Sequence, residues 1–258
     1  MADTPLSKAA VDRAGKRLRD EVVPRPEDVA VYEEYRASLG ESLAEVVSQV
    51  ANWDPPQLQP VTTRLKRIES VIDKLRRGNF RLSGINDVAG CRLIVDGLRR
   101  QDDAVTAISG MFPGCRISDY RLREHISGYV AVHLNVRSST GHLVEVQVRT
   151  VMQHRWALTS EELSRAPHIG KGVKYGSGPP ELRDLLAALS RPGVSVDQRE
   201  AQLEDAGTEI ANLAAAGSLT RPVINQRDRL AASAAATRDE FERVIDATMA
   251  FVEEFGDD

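Results

Sequence analysis

Gly128-Tyr129-Val130-Ala131-Val132-His133 and, after a turn, Val144-Glu145-Val146-Gln147-Val148-Arg149-Thr150 are two strand-like runs that sort their residues by face. Side chains alternate along a strand, so Val130, Val132, Leu134 and Val136 fall on one face and Tyr129, Ala131, His133 and Asn135 on the other. The second run repeats the division, with Val144, Val146 and Val148 against Glu145, Gln147 and Arg149. Ser138, Ser139, Thr140 and Gly141 supply turn chemistry between them, so the pair predicts a hairpin whose polar faces form one continuous surface. A ring, an imidazole, a carboxylate, an amide and a guanidinium on one side make the inventory of a nucleotide site. A solvated outer face gives the same alternation, so the rest of the chain decides.

Working outward, Ser7 to Val50 reads as helix with breaks near Pro24 and Pro26. Val61, Leu65, Ile68, Ile72 and Leu75 form one apolar stripe and predict a helix over 61–77, with Lys66, Ser70, Lys74 and Arg77 opposite and Gly78-Asn79 as its end. Gly84 to Val95 reads as a turn entering a buried strand, Asp102 to Met111 as a helix, Cys115 to Arg121 as a strand and Thr150 to Leu163 as a helix bearing His154 and Trp156. The order predicts an α+β fold, a mixed or antiparallel sheet flanked by helices. Past the glycine-rich stretch Gly170 to Pro180, three helical segments are expected, Glu181–Leu189, Val196–Ala215 and Thr220–Phe255, interrupted at Pro192-Gly193 and Gly217. The predicted organisation is a helical N-terminal extension over 1–60, a core over 61–175 and a helical C-terminal extension over 176–258, the last a brace or an oligomerisation arm.

The 258 residues, 41% of them hydrophobic, suffice for one substantial core with extensions or two small ones. A net charge of -4 gives no global basic field for nucleic acid, leaving only local patches. Cys91 and Cys115 have neither metal-ligand spacing nor the density of a disulfide scaffold, and Cys91 lies in an apolar run as a buried thiol. With no apolar signal core at the N-terminus and no run of membrane-spanning length, the expectation is a cytoplasmic protein without a membrane partner.

Phosphoryl transfer to a hydroxyl needs cations around the polyphosphate, carboxylates for a magnesium ion and a group beside the acceptor. Arg64, Lys66, Lys74 and Arg92 are candidate cations, Asp87 and Glu145 candidate magnesium ligands, and Tyr129 a candidate stacking ring. Each has a structural counterpart: a solvated helix face for Lys66, Lys74 and Arg77, a turn cap for Asp87, a salt bridge for Arg92, packing for Trp156. His125, His142 and His168 lack matching ligand spacing.

Four segments in order, Arg64-Leu65-Lys66 with Ser70 and Lys74, Asp87-Val88-Ala89-Gly90-Cys91-Arg92, Gly128-Tyr129 with His133, and Glu145 through Thr150, resemble the synthetase domain of the RelA/SpoT family over roughly Val61 to Leu163. The resemblance implies a nucleotidyltransferase-like fold and transfer of pyrophosphate from ATP to the 3′-hydroxyl of GDP or GTP, with Mg2+ as cofactor. Carried over, Arg64 and Arg92 sandwich the adenine and Lys66, Ser70 and Lys74 hold the ATP phosphates. Asp87 and Glu145 bind magnesium, Glu145 also activating the acceptor hydroxyl, and Tyr129, His133 and Gln147 form the acceptor pocket. Where the family typically carries a lysine and then an asparagine before the Gly-Tyr pair, this chain has His125 and Ser127, so His125 takes the lysine's acceptor-side place. A neutral imidazole is a poorer phosphate partner than an ammonium, which leaves the acceptor open.

A toxin branch resembling this family modifies the 3′-CCA end of tRNA, and Gln153-His154-Arg155-Trp156-Ala157 and Val173-Lys174-Tyr175-Gly176 look more like small actinobacterial-type RelA/SpoT-domain proteins than like long bifunctional enzymes. The alternatives are therefore a tRNA pyrophosphokinase, with an antitoxin or a homo-oligomer as partner, and an inactive nucleotide-binding protein of the same fold. A tRNA acceptor needs a basic patch, for which Arg121, Arg123 and Arg137 are the visible contributors. No His-Asp dipeptide occurs, so the family's metal-dependent hydrolase domain is not expected.

Overall fold

The structure, a computed structural model, describes residues 6–53, 61–122, 127–164 and 180–255. Helices α1 (Lys8–Asp20) and α2 (Pro26–Ala51) precede strand β1 (Thr62–Leu65) and helix α3 (Ile68–Arg77). Strand β2 (Ala89–Val95), helix α4 (Gly97–Met111), strands β3 (Arg116–Asp119), β4 (Val132–Arg137) and β5 (Leu143–Thr150) and helix α5 (Val151–Leu163) follow. Two long helices, α6 (Pro180–Ala215) and α7 (Arg221–Phe255), complete the order. The fold is α+β, a five-stranded mixed sheet in the order β1-β2-β5-β4-β3 flanked by helices, with a helical C-terminal extension. Among the described residues no helix is long and apolar enough to cross a membrane.

By its internal contacts the chain divides into two units. The first comprises residues 1–93, 106–118 and 133–147. Here the side chain of Ser7 accepts from the Ala10 amide to start α1. Pro26, Glu27 and Asp28 start α2, the carboxylates complementing the helix dipole. Asp28, 1% exposed, receives the Arg17 guanidinium at 2.9 and 3.0 Å from Nε and so pins α1 to α2. Val11, Ala14 and Leu18 of α1 and Tyr32, Leu39, Leu43 and Val46 of α2 are its apolar face. Ser42 of α2 meets Thr140 and the His142 ring at the tip of the β4–β5 hairpin, which gives His142 a structural place.

The helix expected over 61–77 is instead a strand and a helix. Thr62, Thr63, Arg64 and Leu65 pair antiparallel with Arg92, Cys91, Gly90 and Ala89, and α3 begins only at Ile68. A stripe at helical spacing is satisfied equally by Val71, Ile72 and Leu75 alone. The β-branched pair Thr62-Thr63 gains more from the unsatisfied edge of β2 than from another helical turn.

The second unit comprises residues 94–105, 119–132 and 148–258. Thr150 and Gln153 form a reciprocal capping box that starts α5, and the Gln101 amide donates to the Val148 carbonyl at 2.9 Å and to Gln153 Oε1 at 2.8 Å. Two apolar clusters hold the C-terminal helices: Trp156, Leu163, Leu186 and Leu189 with Tyr129 and Ala131, and Met152 and Val196 with Phe241 and Ile245. The expected interruption at Pro192-Gly193 does not occur, because α6 runs through it. Pro192 forfeits one helical hydrogen bond, but a side chain at Gly193 would stand 3.0 Å from the Phe241 ring, so the glycine admits α7 and packing keeps the helix intact.

Asp197 of α6 is 3% exposed and accepts the Thr150 hydroxyl at 2.7 Å. Burial, reinforced by Glu200 and only partly opposed by Thr150, Gln153 and Arg238, pushes its carboxyl up to about 7. A carboxyl raised in the folded state contributes stability that is complete below its ordinary value of 3.8 and is lost as the pH rises through about 7. Asp197→Asn, which keeps an acceptor for Thr150, is expected to stabilise the chain at pH 8 by up to about 4 kcal/mol and to flatten the pH dependence. Urea unfolding of both chains at pH 5 and pH 8 checks this, and parallel pH dependences would contradict it.

Candidate active site

The first unit gathers most of the sequence-predicted residues. Lys66 stands just after β1, where its amide donates to the Val88 carbonyl at 2.8 Å and its own carbonyl accepts from the Tyr32 hydroxyl of α2. That fixes the backbone and turns the side chain inward, 6% exposed. Its Nζ lies 2.5 Å from Asp87 Oδ2, while Lys74 Nζ, from the last turn of α3, lies 2.7 Å from Asp87 Oδ1. Burial alone would push the Asp87 carboxyl up, but the two ammonium groups outweigh it and hold Asp87 below the ordinary range. Burial pulls Lys66 down, against the raising pull of Asp87. Ser70 lies half-buried on α3, one turn before Lys74.

Arg64 and Arg92 stand on paired strands. Thr62 is opposite Arg92 and Arg64 is opposite Gly90, so the two arginines share one face as diagonal neighbours with no side chain at Gly90 between them. A Cβ on Gly90 would stand 3.1 Å from the Glu145 carbonyl oxygen, so the glycine is what lets β5 approach β2 here.

On β4 and β5 the expected alternation holds: Leu134, Val136, Val144 and Val146 are inaccessible, while His133, Glu145 and Gln147 lie half-buried on the opposite face. His133 Nδ1 is 3.0 Å from Glu145 Oε1, and Gln147 Nε2 donates to Glu145 Oε2 at 2.6 Å. Burial and the field of Asp87 press the Glu145 carboxyl upward, and the hydrogen bonds and charge from His133, with Gln147, hold it below the ordinary range. The carboxylates of Asp87 and Glu145 thus lie within each other's field. Among the described residues no three histidine, cysteine or acidic groups gather as a metal cluster. Two carboxylates are nevertheless the protein share that a magnesium ion takes when substrate phosphates and water fill the remaining positions, and this donor set fits it.

Tyr129 belongs to the second unit and is not the open ring that the alternation suggested. It is 8% exposed, packed with Trp156, Leu186 and Leu189, and its hydroxyl accepts from Arg149 Nη2 at 3.0 Å. Residues 128–131 precede β4 rather than extend it, so the alternating faces do not reach Tyr129. His125, Arg123, His168 and the stretch Val173 to Gly176 lie outside the described residues. Sequence reasoning missed Tyr32, although its spacing from Leu39, Leu43 and Val46 places it on the buried face of α2. It also left open the place of Arg149, which is 1% exposed and stands 5.5 Å from the Tyr129 ring centre.

Comparison with known proteins follows the same residues. A sequence model described as the region found in RelA/SpoT proteins matches residues 63–164, which spans every assigned position from Arg64 to Gln147. The uncharacterized protein Rv1366 of Mycobacterium tuberculosis is 32% identical over 212 residues, covering 77% of this chain and 76% of that one. The GTP pyrophosphokinase YjbM of Bacillus subtilis is 28% identical over 178 residues, 64% of this chain and 79% of that one. The crystal structure of small alarmone synthetase 1 from Bacillus subtilis bound to its product pppGpp aligns with 21% identity over 67% of this chain and 93% of that one, with a TM-score of 0.49. By the matched region and the extent of its likeness to its sequence relatives, the chain belongs to the RelA/SpoT family.

Proposed function

We propose that this protein moves pyrophosphate from ATP to the 3′-hydroxyl of GDP or GTP, giving (p)ppGpp. The observation that carries the reading is the pairing within one unit of Asp87, bearing an ammonium on each oxygen, with Glu145, ionised and oriented by His133 and Gln147. In the transfer the 3′-oxygen bonds to the β-phosphorus of ATP as the bond from that phosphorus to the α–β bridging oxygen breaks. AMP leaves, and the hydroxyl proton passes to the Glu145 carboxylate. Lys66 and Lys74 exchange Asp87 for the polyphosphate, joined by the Ser70 hydroxyl, and Asp87 and Glu145 are the residues that would hold Mg2+. When bound, Mg2+ neutralises phosphate charge and favours ionisation of the acceptor hydroxyl. Arg64 and Arg92, diagonal neighbours on one face, take the adenine ring between their guanidinium planes. Tyr129, His133, Gln147 and His125 serve the acceptor.

A small acceptor is favoured over tRNA by the state of Arg121 and Arg137. Arg121 spends its guanidinium on Asp119 at 2.7 Å and Asp102 at 2.7 Å, and Arg137 donates to the Gly141 carbonyl at 2.6 Å. Cations engaged in this way make a weak phosphate-binding patch.

Incubating the protein with Mg2+ and ATP labelled at its terminal phosphates, with GDP, GTP or deacylated tRNA in turn, is expected to label the guanosine nucleotide. Label on tRNA instead establishes the toxin reading. Glu145→Gln keeps the shape but removes the anionic ligand and proton acceptor, and is expected to lower the rate by ~2–3 orders of magnitude with unchanged circular dichroism. Retention of most of the activity would show that Glu145 is misassigned. Arg64→Ala and Arg92→Ala are each expected to raise the KM for ATP more than that for the acceptor, and lysine at either place to rescue only in part, since an ammonium does not stack as a plane. Equal losses for both substrates would refute the adenine sandwich.

A further inference from the structure

A ring that stacks on a base must present a face to it, and the second unit denies Tyr129 one. Tyr120 meets it at 5.6 Å between ring centres and 70° between planes, Trp156 at 6.0 Å and 57°, and Arg149 stands over it. One turn of α6 adds further cover. Leu186 and Leu189 pack in the same cluster, the Ser190 hydroxyl donates to the Gly128 carbonyl at 2.5 Å, and Trp156 Nε1 donates to the Leu186 carbonyl at 2.9 Å. Gly128 is fitted to this contact: its φ is +73°, and a Cβ there would stand 2.6 Å from Ser190 Cβ and 3.0 Å from Ala187 Cα.

The covering turn lies in the same continuous helix as Pro192 and Gly193, which follow it after Arg191, and the missing proline amide removes one hydrogen bond to the preceding turn. Just before the turn, Leu185 lines an open, largely apolar cavity of about 680 Å³ together with Leu163, Val244 and Phe251.

We infer that the Leu186–Ser190 turn of α6 is a built-in cover for Tyr129, and that loading of the guanosine acceptor requires this turn to lift about Pro192-Gly193. The inference rests on the reading of Tyr129 as the ring that stacks on the acceptor base. It assigns the C-terminal extension a regulatory contact: whatever favours the lifted state raises acceptor affinity in proportion to the fraction uncovered.

Trp156, buried against the covering turn, is the reporter. Trp53→Phe leaves it as the sole tryptophan of the chain, and GDP or GTP is titrated into this full-length variant with Mg2+ and a non-hydrolysable ATP analogue. The expected result is a red shift of Trp156 emission that saturates together with acceptor binding measured by calorimetry. In the same background, Leu186→Ala with Ser190→Ala is expected to bind the acceptor at least ~10-fold more tightly, with ATP affinity unchanged, if the lifted state is a minor one in the parent. Acceptor binding without a change in Trp156 emission overturns the cover. So does a loosened variant that binds ATP as before and the acceptor no better. A chain that binds neither ATP nor acceptor in either form overturns the reading of the active site itself, and the cover with it.

Discussion

Asp87 takes an ammonium group on each of its oxygens, and much of the first unit is arranged to make that possible. Lys66 is almost wholly buried, so without an anion beside it the cost of removing its charge from water would be several kcal/mol. The pairing of β1 with β2 brings Lys66 to the turn that carries Asp87, and the Val88 carbonyl fixes its amide. Tyr32 of α2 ties down its carbonyl, and α3 is directed so that Lys74 reaches the second oxygen. With two ammonium groups on one carboxylate the trio carries an excess of positive charge, which under the proposed function favours exchange. A polyphosphate offers the lysines more negative charge than one carboxylate does, and their transfer to it would release Asp87 as a ligand for a divalent ion.

How much of this was legible in the sequence varies with how local each cause is. The alternation of Val144, Glu145, Val146 and Gln147 is a property of one strand with one buried face, and it put the Glu145 side chain on the opposite face directly. The stripe from Val61 to Leu75 was misread because helical spacing at Val61 and Leu65 is accidental. What makes Thr62–Leu65 a strand is the free edge of β2, well down the chain, which no local window contains. The continuity of α6 through Pro192 has the same origin, since the compensating contact is Phe241 on another helix. Tyr32 was overlooked because its role is a single hydroxyl bond to a backbone carbonyl thirty-four residues on, a pairing that composition and periodicity do not encode.

The two glycines nearest the assigned residues show why a motif identifies a place without fixing its state. Gly90 is needed because the Glu145 carbonyl of a neighbouring strand approaches where a side chain would stand, and nothing but the sheet itself sets that demand. Gly128 combines a positive φ with the approach of Ser190 and Ala187, so its demand comes from a helix that lies outside the matched region of residues 63–164. The Gly-Tyr pair thus carries two readings at once. Under the proposed function it marks a ring that stacks on the acceptor base, and in the fold of this chain it marks the floor on which α6 rests. The hydrogen bonds from Ser190 to Gly128 and from Trp156 to Leu186 both end on backbone carbonyls, so the fit depends on the path of the main chain as well as on the side chains of the cluster. A contact of that kind is either kept in register or released as a unit. The α6 turn is therefore one part of the cover over Tyr129, which it shares with Tyr120, Trp156 and Arg149.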